Sequence, residues 1–135
     1  MKEELLKLAE RVEALSGPDR EVEARIWCAL NGKKYVGHWR EYDGPNTRVE
    51  YIEPPKRTPL ASSTVALRWT ASLDAAMTLV PKGWAWSVLD RRTTGYSKPN
   101  GQCWTKEDRS TLHGDAATPA LALCAAALRA LAKEK

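Results

Sequence analysis

The chain has 135 residues, 43% of them hydrophobic and 28% charged, with a formal net charge of +4 at pH 7. That composition is typical of an ordinary globular protein and excludes a disordered or collagen-like chain, and the length predicts a single domain over residues 1–135. Three cysteines without a close pair argue against a disulfide framework. The charged N-terminus does not resemble a signal peptide, and the longest apolar run, residues 116–128, is too short to span a bilayer. We therefore expect a cytoplasmic protein without a membrane partner.

Two helices are predicted at the N-terminal end. Residues 2–16 carry leucine and valine at helical spacing, and Gly17 with Pro18 ends the pattern. Asp19 is a suitable N-cap for a second helix that continues to about Leu30, because its carboxylate can accept a hydrogen bond from an unpaired amide of the first turn.

A β-hairpin is predicted next. Residues 34–42 and 48–53 alternate between apolar and polar side chains, and the turn-forming residues 43–46 separate them. Residues 54–59 contain three prolines and two basic residues. Proline cannot donate to a sheet ladder, so this stretch is expected to form an exposed basic loop.

The middle of the chain predicts a strand, a short helix and another strand. Residues 64–69 alternate with period two, and the predicted apolar face consists of Val65, Leu67 and Trp69. Ser72 is a suitable N-cap for a helix over residues 72–80. Residues 84–91 again alternate, and the side chains predicted to share a face are Trp84, Trp86 and Val88.

The C-terminal part predicts a short strand over residues 102–105, a polar loop over residues 106–115, and a last helix. Thr118 is expected to cap that helix, with Pro119 at its first position, where the missing amide hydrogen costs nothing. The helix is apolar nearly all round, which indicates deep burial or a subunit interface. We expect both: one side packs on the sheet and the other on a second copy, forming a homo-oligomer through the C-terminal helix.

The resulting order, α-α-β-β-β-α-β-β-α, predicts a protein of mixed α and β class. We expect a mainly antiparallel sheet of about five strands with helices on its faces.

Three segments resemble the phage α-β-α (ABA) sandwich domain family of small phage and prophage proteins. They are Arg20 to Ile26 (REVEARI), Trp69 to Ala76 (WTASLDAA) followed by Leu79 to Trp84 (LVPKGW), and Ala117 to Arg129 (ATPALALCAAALR). The resemblance covers most of the chain in outline, except the variable region 33–64. It implies a three-layer α-β-α sandwich and a phage or prophage origin, and it carries no catalytic residue over to this chain.

No motif in the sequence specifies a chemistry. The two histidines and three cysteines lack the spacing of a zinc site, and no glycine-rich phosphate loop is present, so we expect no metal and no cofactor. Cys103 and His113 are the only plausible nucleophile and base. A carboxylate pair for hydrolysis could be drawn from Asp90, Glu107, Asp108 and Asp115, but any chain of this size contains such a set. We therefore predict no catalytic residues, and a protein that is not an enzyme.

Binding is the function that the composition favours. Residues 33–111 carry thirteen basic and eight acidic side chains, interleaved with tryptophan and tyrosine. Aromatic rings can stack on bases while guanidinium forks hold phosphates. The predicted ligand-binding residues are Trp39, Arg40, Arg68, Trp69, Arg91, Arg92 and Tyr96.

Together with the phage resemblance, this set predicts a protein that sequesters a small anionic nucleotide, an immune signal of the cyclic ADP-ribose or cyclic oligonucleotide type, to counter host defence. Three alternatives stay open. One is a phage accessory protein that binds DNA or RNA. The others are a protein-protein inhibitor of a host defence factor and an enzyme that degrades the signal.

Overall fold

The computed structural model describes residues 2–52, 61–90, 98–107 and 110–134 of the chain. Within these ranges the helices are α1 (Lys2–Glu13), α2 (Arg20–Asn31), α3 (Leu73–Met77) and α4 (Pro119–Glu134). The strands are β1 (Lys34–Arg40), β2 (Thr47–Ile52), β3 (Ser62–Ala66), β4 (Ala85–Leu89), β5 (Asn100–Trp104) and β6 (Leu112–Asp115). They form two three-stranded antiparallel sheets, which we call sheet A (β1-β2-β3) and sheet B (β4-β5-β6).

The mixed α and β class is confirmed, but the strands are divided differently from the prediction. In the described residues six strands form two sheets, where the sequence predicted one sheet of about five strands. The additional strand is β6, within a stretch predicted to be polar loop. Its sequence, Leu-His-Gly-Asp, has little intrinsic preference for a strand, so its place in the sheet depends on tertiary contacts.

The third strand is shorter than predicted, and its buried face is the opposite one. It ends at Ala66, and Ala66 is fully buried opposite the equally buried Thr47 of β2. Val65 is half-buried and Leu67 is 37% exposed. The predicted apolar face of Val65, Leu67 and Trp69 is therefore wrong: the register with β2 places the alternate set, which includes Ala66, toward α2.

The predicted caps of the longer helices are confirmed. Asp19 Oδ1 accepts a hydrogen bond of 3.1 Å from the amide of Val22, and α2 ends at Gly32 with φ of 64°, a left-handed conformation that suits glycine. Thr118 Oγ1 accepts a hydrogen bond of 3.2 Å from the amide of Leu121 at the start of α4. The first helix ends at Glu13, three residues before the predicted end.

Sheet A packs on α2 through aromatic and charged side chains. The rings of Trp27 and Tyr51 have centroids 4.8 Å apart, and the guanidinium of Arg25 lies 4.1 Å from the ring centroid of Tyr35. The hydroxyl of Tyr35 lies 2.6 Å from Nδ1 of His38. Large side chains thus span the space between helix and sheet.

Sheet B packs on α4 through glycine and alanine instead. A Cβ atom placed on Gly101 would lie 2.5 Å from the carbonyl oxygen of Ala122, and one on Gly114 would lie 2.8 Å from the amide nitrogen of Ala126. Real Cβ atoms do not approach so closely, so both positions require glycine. The glycines allow the helix backbone to lie almost directly on the strands, and this explains why α4 is so rich in alanine.

The apolar circumference of α4 is covered within the chain itself. Helices α1 and α3 and all three strands of sheet B contact it, and in the segment from Ala120 to Ala132 only Arg129 and Leu131 are not fully buried. This packing explains the apolar periphery from which the sequence predicted a subunit interface. The homo-oligomer through the C-terminal helix stays a prediction, although the apolar character of α4 is accounted for without a second chain.

One ion pair ties α1 to α4 and β6. Two nitrogens of the Arg129 guanidinium donate to the carboxylate of Glu13, at 2.8 Å for Nη1 to Oε2. The same Nη1 donates to the carbonyl of His113 at 2.8 Å, and the amide of Asp115 donates to Glu13 at 3.0 Å.

In the described part of the chain, no helix has both the length and the apolar character needed to cross a membrane.

Candidate functional site

A buried carboxylate organises the region where α2 meets sheet A. Glu23 lies on α2 and is fully buried. Its Oε1 accepts hydrogen bonds from Oγ1 of Thr47 at 2.8 Å and from Nε of Arg68 at 2.9 Å. Its Oε2 accepts from the amide of Thr70 at 3.1 Å and from the Thr70 hydroxyl. A buried charge is tolerated only when it is paired and hydrogen-bonded, and these donors meet that requirement.

The same network explains why β3 ends early. The carbonyl of Arg68 accepts hydrogen bonds from the amides of Ala71 and Ser72, which closes a turn, and Oγ1 of Thr70 accepts a hydrogen bond of 2.9 Å from the amide of Asp19. Arg68 and Thr70 are thereby held against the N-terminal turn of α2. The chain leaves sheet A to make these bonds, so the strand cannot continue to Trp69 as predicted.

Two further arginines lie beside this network. Nη1 of Arg20 donates to Oγ1 of Thr47 at 3.0 Å and to the carbonyls of Asn46 at 3.0 Å and Pro45 at 3.3 Å. A continuous chain of hydrogen bonds therefore joins Arg20 through Thr47 and Glu23 to Arg68. Arg40 is the cross-strand neighbour of Thr47, so its side chain leaves the same face of sheet A, where it is exposed.

The three arginines form what we call the arginine cluster: Arg20, Arg40 and Arg68. Burial lowers the pKa of Arg20, and the positive charges of Arg68 and Arg40 lower it further, while Glu23 opposes the shift. Apart from the pairing of its backbone with Thr47, Arg40 makes no hydrogen bond or ion pair within the described residues. Three positive charges thus lie near the buried carboxylate of Glu23 and the N-cap carboxylate of Asp19, which leaves an excess of positive charge at this surface.

The structure brings together two of the predicted site residues and separates the others. Arg40 and Arg68 belong to the arginine cluster. Trp39, 45% exposed, points to the opposite face of sheet A, as its pairing with Arg48 requires. Trp69 is only 6% exposed, and its indole Nε1 donates to Oγ1 of Thr78 at 3.1 Å, so its ring packs in the core. The remaining predicted positions, Arg91, Arg92 and Tyr96, lie outside the described residues.

Arg20 is the member of the cluster that the sequence analysis missed. It occupies the first position of α2, next to the N-cap, where the helix dipole favours negative charge. A cation at that place is unfavourable for the helix, and this local conflict is the signal that could have singled it out.

The structure separates Cys103 and His113, the one nucleophile and base considered from the sequence. Cys103 is fully buried on the face of sheet B that packs on α4, and burial raises its pKa to about 11. His113 is exposed and pairs with Gln102, so it points to the other face of the sheet. Within the ranges that the structure describes, no group of three or more histidine, cysteine or acidic side chains is placed to hold a metal ion.

Fold and site together define a mixed α and β protein whose described residues form two small antiparallel sheets and a surface cluster of guanidinium groups. Comparison with protein-family models, with curated proteins and with solved structures gave no match for this chain. The resemblance to the phage sandwich family therefore stays a prediction.

Proposed function

We propose that this protein acts by binding a small phosphate-bearing anion at the arginine cluster. The observation that supports the proposal is the charge balance, because the guanidinium groups of Arg20, Arg40 and Arg68 lie near one buried carboxylate whose oxygens already have donors. Guanidinium groups are suited to phosphate, since they present a planar set of donors and are always charged.

Two of the three guanidinium groups are held in place before any ligand arrives. Arg68 is anchored through Nε by Glu23, and no hydrogen bond in the described part of the chain uses its Nη1 or Nη2. Arg20 is anchored through Nη1 by the turn between β1 and β2. Fixed donors lose less conformational entropy when a ligand binds, so this arrangement favours affinity. The exposed Arg40 would then close over the ligand from the rim.

The ligand class that we propose is a nucleotide. If the chain belongs to the phage sandwich family that it resembles, the proposed role is to sequester a nucleotide immune signal of the cyclic ADP-ribose or cyclic oligonucleotide type. The three-layer α-β-α arrangement, the phage origin and the cytoplasmic location are parts of the same proposal. The two sheets and four helices of the described residues support only its coarser element, the mixed α and β class.

The test is a binding titration of purified protein against inorganic phosphate, linear and cyclic nucleotides, and cyclic ADP-ribose. Arg40→Ala is the main variant, because Arg40 is exposed and its loss leaves no buried group unpaired. Arg48→Ala is the matched control, since it removes the same charge from the neighbouring strand on the opposite face. One lost charge-assisted hydrogen bond is worth about 1.5–3 kcal/mol, so we expect roughly tenfold or greater weakening for Arg40→Ala and little change for Arg48→Ala.

The fate of the ligand separates this proposal from the alternatives. Intact nucleotide recovered from the complex supports sequestration, whereas turnover indicates a signal-degrading enzyme. Preference for long polymers, with affinity that falls steeply as salt rises, indicates a DNA- or RNA-binding protein. If no phosphate compound binds, or if Arg40→Ala and Arg48→Ala weaken binding equally, the arginine cluster is not the site. A protein-protein inhibitor then becomes the leading alternative.

A further inference from the structure

A pocket lies on the face of sheet A opposite the arginine cluster, at the tip of the hairpin formed by β1 and β2. Its volume is about 240 Å³, and the residues that line it are Trp39, Glu41, Tyr42, Asp43 and Arg48. Sites for drug-sized ligands span roughly 300–1,000 Å³. This pocket is therefore sized for one side chain or one small amine rather than for a whole nucleotide.

The lining combines aromatic rings with negative charge. Glu41 and Asp43 contribute two carboxylates against the one guanidinium of Arg48, whose Nη2 donates to Oγ of Ser63 at 2.7 Å. Phosphate would be repelled here, whereas a cation would be attracted. The chemistry of this pocket is thus opposite in sign to that of the arginine cluster.

The two rings are exposed to an unusual degree. Tyr42 is 97% exposed and Trp39 is 45% exposed, and neither ring belongs to the hydrophobic core. Among the described residues the guanidinium found over an aromatic ring is that of Arg25, over Tyr35, so the rings of the pocket have no such cation of their own. Faces of tryptophan and tyrosine attract ammonium and guanidinium groups, and the carboxylates of the pocket add a Coulombic attraction for the same cations.

Glu41 supplies an independent observation. Its Oε2 is buried and has no hydrogen-bond partner among the described residues. The backbone amide of Glu41 donates to the carbonyl of Asn46 at 3.0 Å, and its carboxyl carbon would lie 2.9 Å from a Cβ atom on Gly44. The carboxylate is thus folded tightly against the hairpin turn. A buried acceptor without a partner is unfavourable, and a rotation of the Glu41 carboxylate that brings Oε2 to a donor of a bound ligand would satisfy it.

We propose that this pocket binds an organic cation, an alkylammonium or guanidinium group, between the rings of Trp39 and Tyr42 with Glu41 and Asp43 as its charge partners. Two sources carry that chemistry: a free small amine, and a lysine or arginine side chain of a partner protein. The proposal is independent of the anion site, because the two surfaces use different residues on opposite faces of sheet A.

The experiment is a titration followed by NMR of the Trp39 indole and Gly44 amide resonances at constant ionic strength. The probes are tetramethylammonium and propylammonium chloride, the blocked tripeptides Ala-Lys-Ala and Ala-Arg-Ala, and the neutral tripeptide Ala-norleucine-Ala. We expect saturable shifts with the cationic probes and none with the norleucine tripeptide. Tighter binding of the tripeptides identifies a protein side chain as the natural ligand, and tighter binding of the simple amines identifies a free amine.

Glu41→Gln and Glu50→Gln form a matched pair, because Glu50 lies on the same face of sheet A outside the pocket. Glu41→Gln should weaken binding of the cations about tenfold and Glu50→Gln should leave it unchanged, with both variants checked for an unaltered melting temperature. Trp39→Ala should abolish binding of the cationic probes. Equal binding of norleucine and lysine tripeptides, or equal weakening by the two glutamine variants, overturns the proposal.

Discussion

Sheet A and sheet B are joined to their helices in opposite ways. Between sheet A and α2 lie long polar and aromatic side chains, centred on the buried carboxylate of Glu23. Between sheet B and α4, Gly101 and Gly114 bring the strand backbones against the alanines of the helix, and the side chains beside these glycines, such as Cys103, are apolar.

The two contacts differ in whether they leave groups at the surface that could bind a ligand. A contact made of long side chains leaves charged ends at the rim, as the arginine cluster shows. A contact made of glycine and alanine contributes shape and buried area, and it leaves no chemical groups at the surface. Substitutions confined to one of the two helix–sheet contacts can test this difference.

The largest effect on stability is expected at the polar contact between sheet A and α2. Glu23→Ala removes the acceptor of Thr47, Arg68 and Thr70 and leaves a charge unpaired, which typically costs about 3–5 kcal/mol. Glu23→Gln keeps the shape and should lose less. Urea denaturation of both variants measures the change in the free energy of unfolding. A loss of less than about 1 kcal/mol in the free energy of unfolding for Glu23→Ala would mean that the network does not stabilise the contact between α2 and sheet A.

The next largest effect on stability is expected at the contact between sheet B and α4, where the glycines lie. Gly101→Ala forces a methyl group into the backbone of α4 and should destabilise the protein by about 1–3 kcal/mol. Gly37→Ala is the control, because a Cβ atom there meets only the Glu50 carboxylate at 3.6 Å. Replacing a tolerant glycine by alanine often stabilises by about 0.4–1 kcal/mol. Thermal unfolding should therefore move in opposite directions for the two variants.

A smaller, pH-dependent effect is expected where α1 meets α4. The Arg129 guanidinium, through its hydrogen bonds, holds the pKa of Glu13 below its ordinary value of 4.5. A lowered carboxyl pKa contributes stability above pH 4.5, and that stability is lost as the pH falls through the lowered pKa. Glu13→Gln should cost about 1 kcal/mol at neutral pH, and the difference from wild type should vanish in acid.

Chemical denaturation at several pH values measures this difference, with the exposed Glu3→Gln as the control on the same helix. A difference between wild type and Glu13→Gln that stays constant from neutral to acid pH would contradict the assigned ion pair.

The smallest perturbation is thiol labelling, which reports which of the two helix–sheet contacts opens first. Cys28 on α2 and Cys103 on β5 are buried, and burial raises the pKa of each thiol to about 11. Burial and the charge of Glu23 raise the pKa of Cys124 on α4 as well. We expect none of the three to react in the native state at mildly alkaline pH. During slow opening, mass spectrometry should find Cys28 modified first and Cys124 last, because α4 is covered on all sides.

Within the candidate site, the sequence identified residue types more reliably than their grouping. Arg40 and Arg68 were both predicted and lie together, yet Trp39, next to Arg40 in the chain, faces the other way. Neighbouring residues in a strand point to opposite faces, so a set chosen by composition is divided between two surfaces. Arg20 is 20 residues from Arg40 and 48 from Arg68 in the chain, and only the folded hairpin brings them together.

What the sequence determined by itself is local. The helix caps at Asp19, Ser72 and Thr118, the end of α2 within one residue of the predicted Leu30, and the hairpin of β1 and β2 all follow from hydrogen bonds or dihedral angles within a few residues.

The other features depend on contacts between residues that are far apart along the chain. Thr70 reaches Glu23 across 47 positions and ends β3, and α4 makes room for β6 only because Gly114 lies beneath Ala126. The division into two sheets, the buried side of β3 and the covering of α4 depend on contacts of this kind. No local pattern encodes them, because each depends on which surface another part of the chain presents.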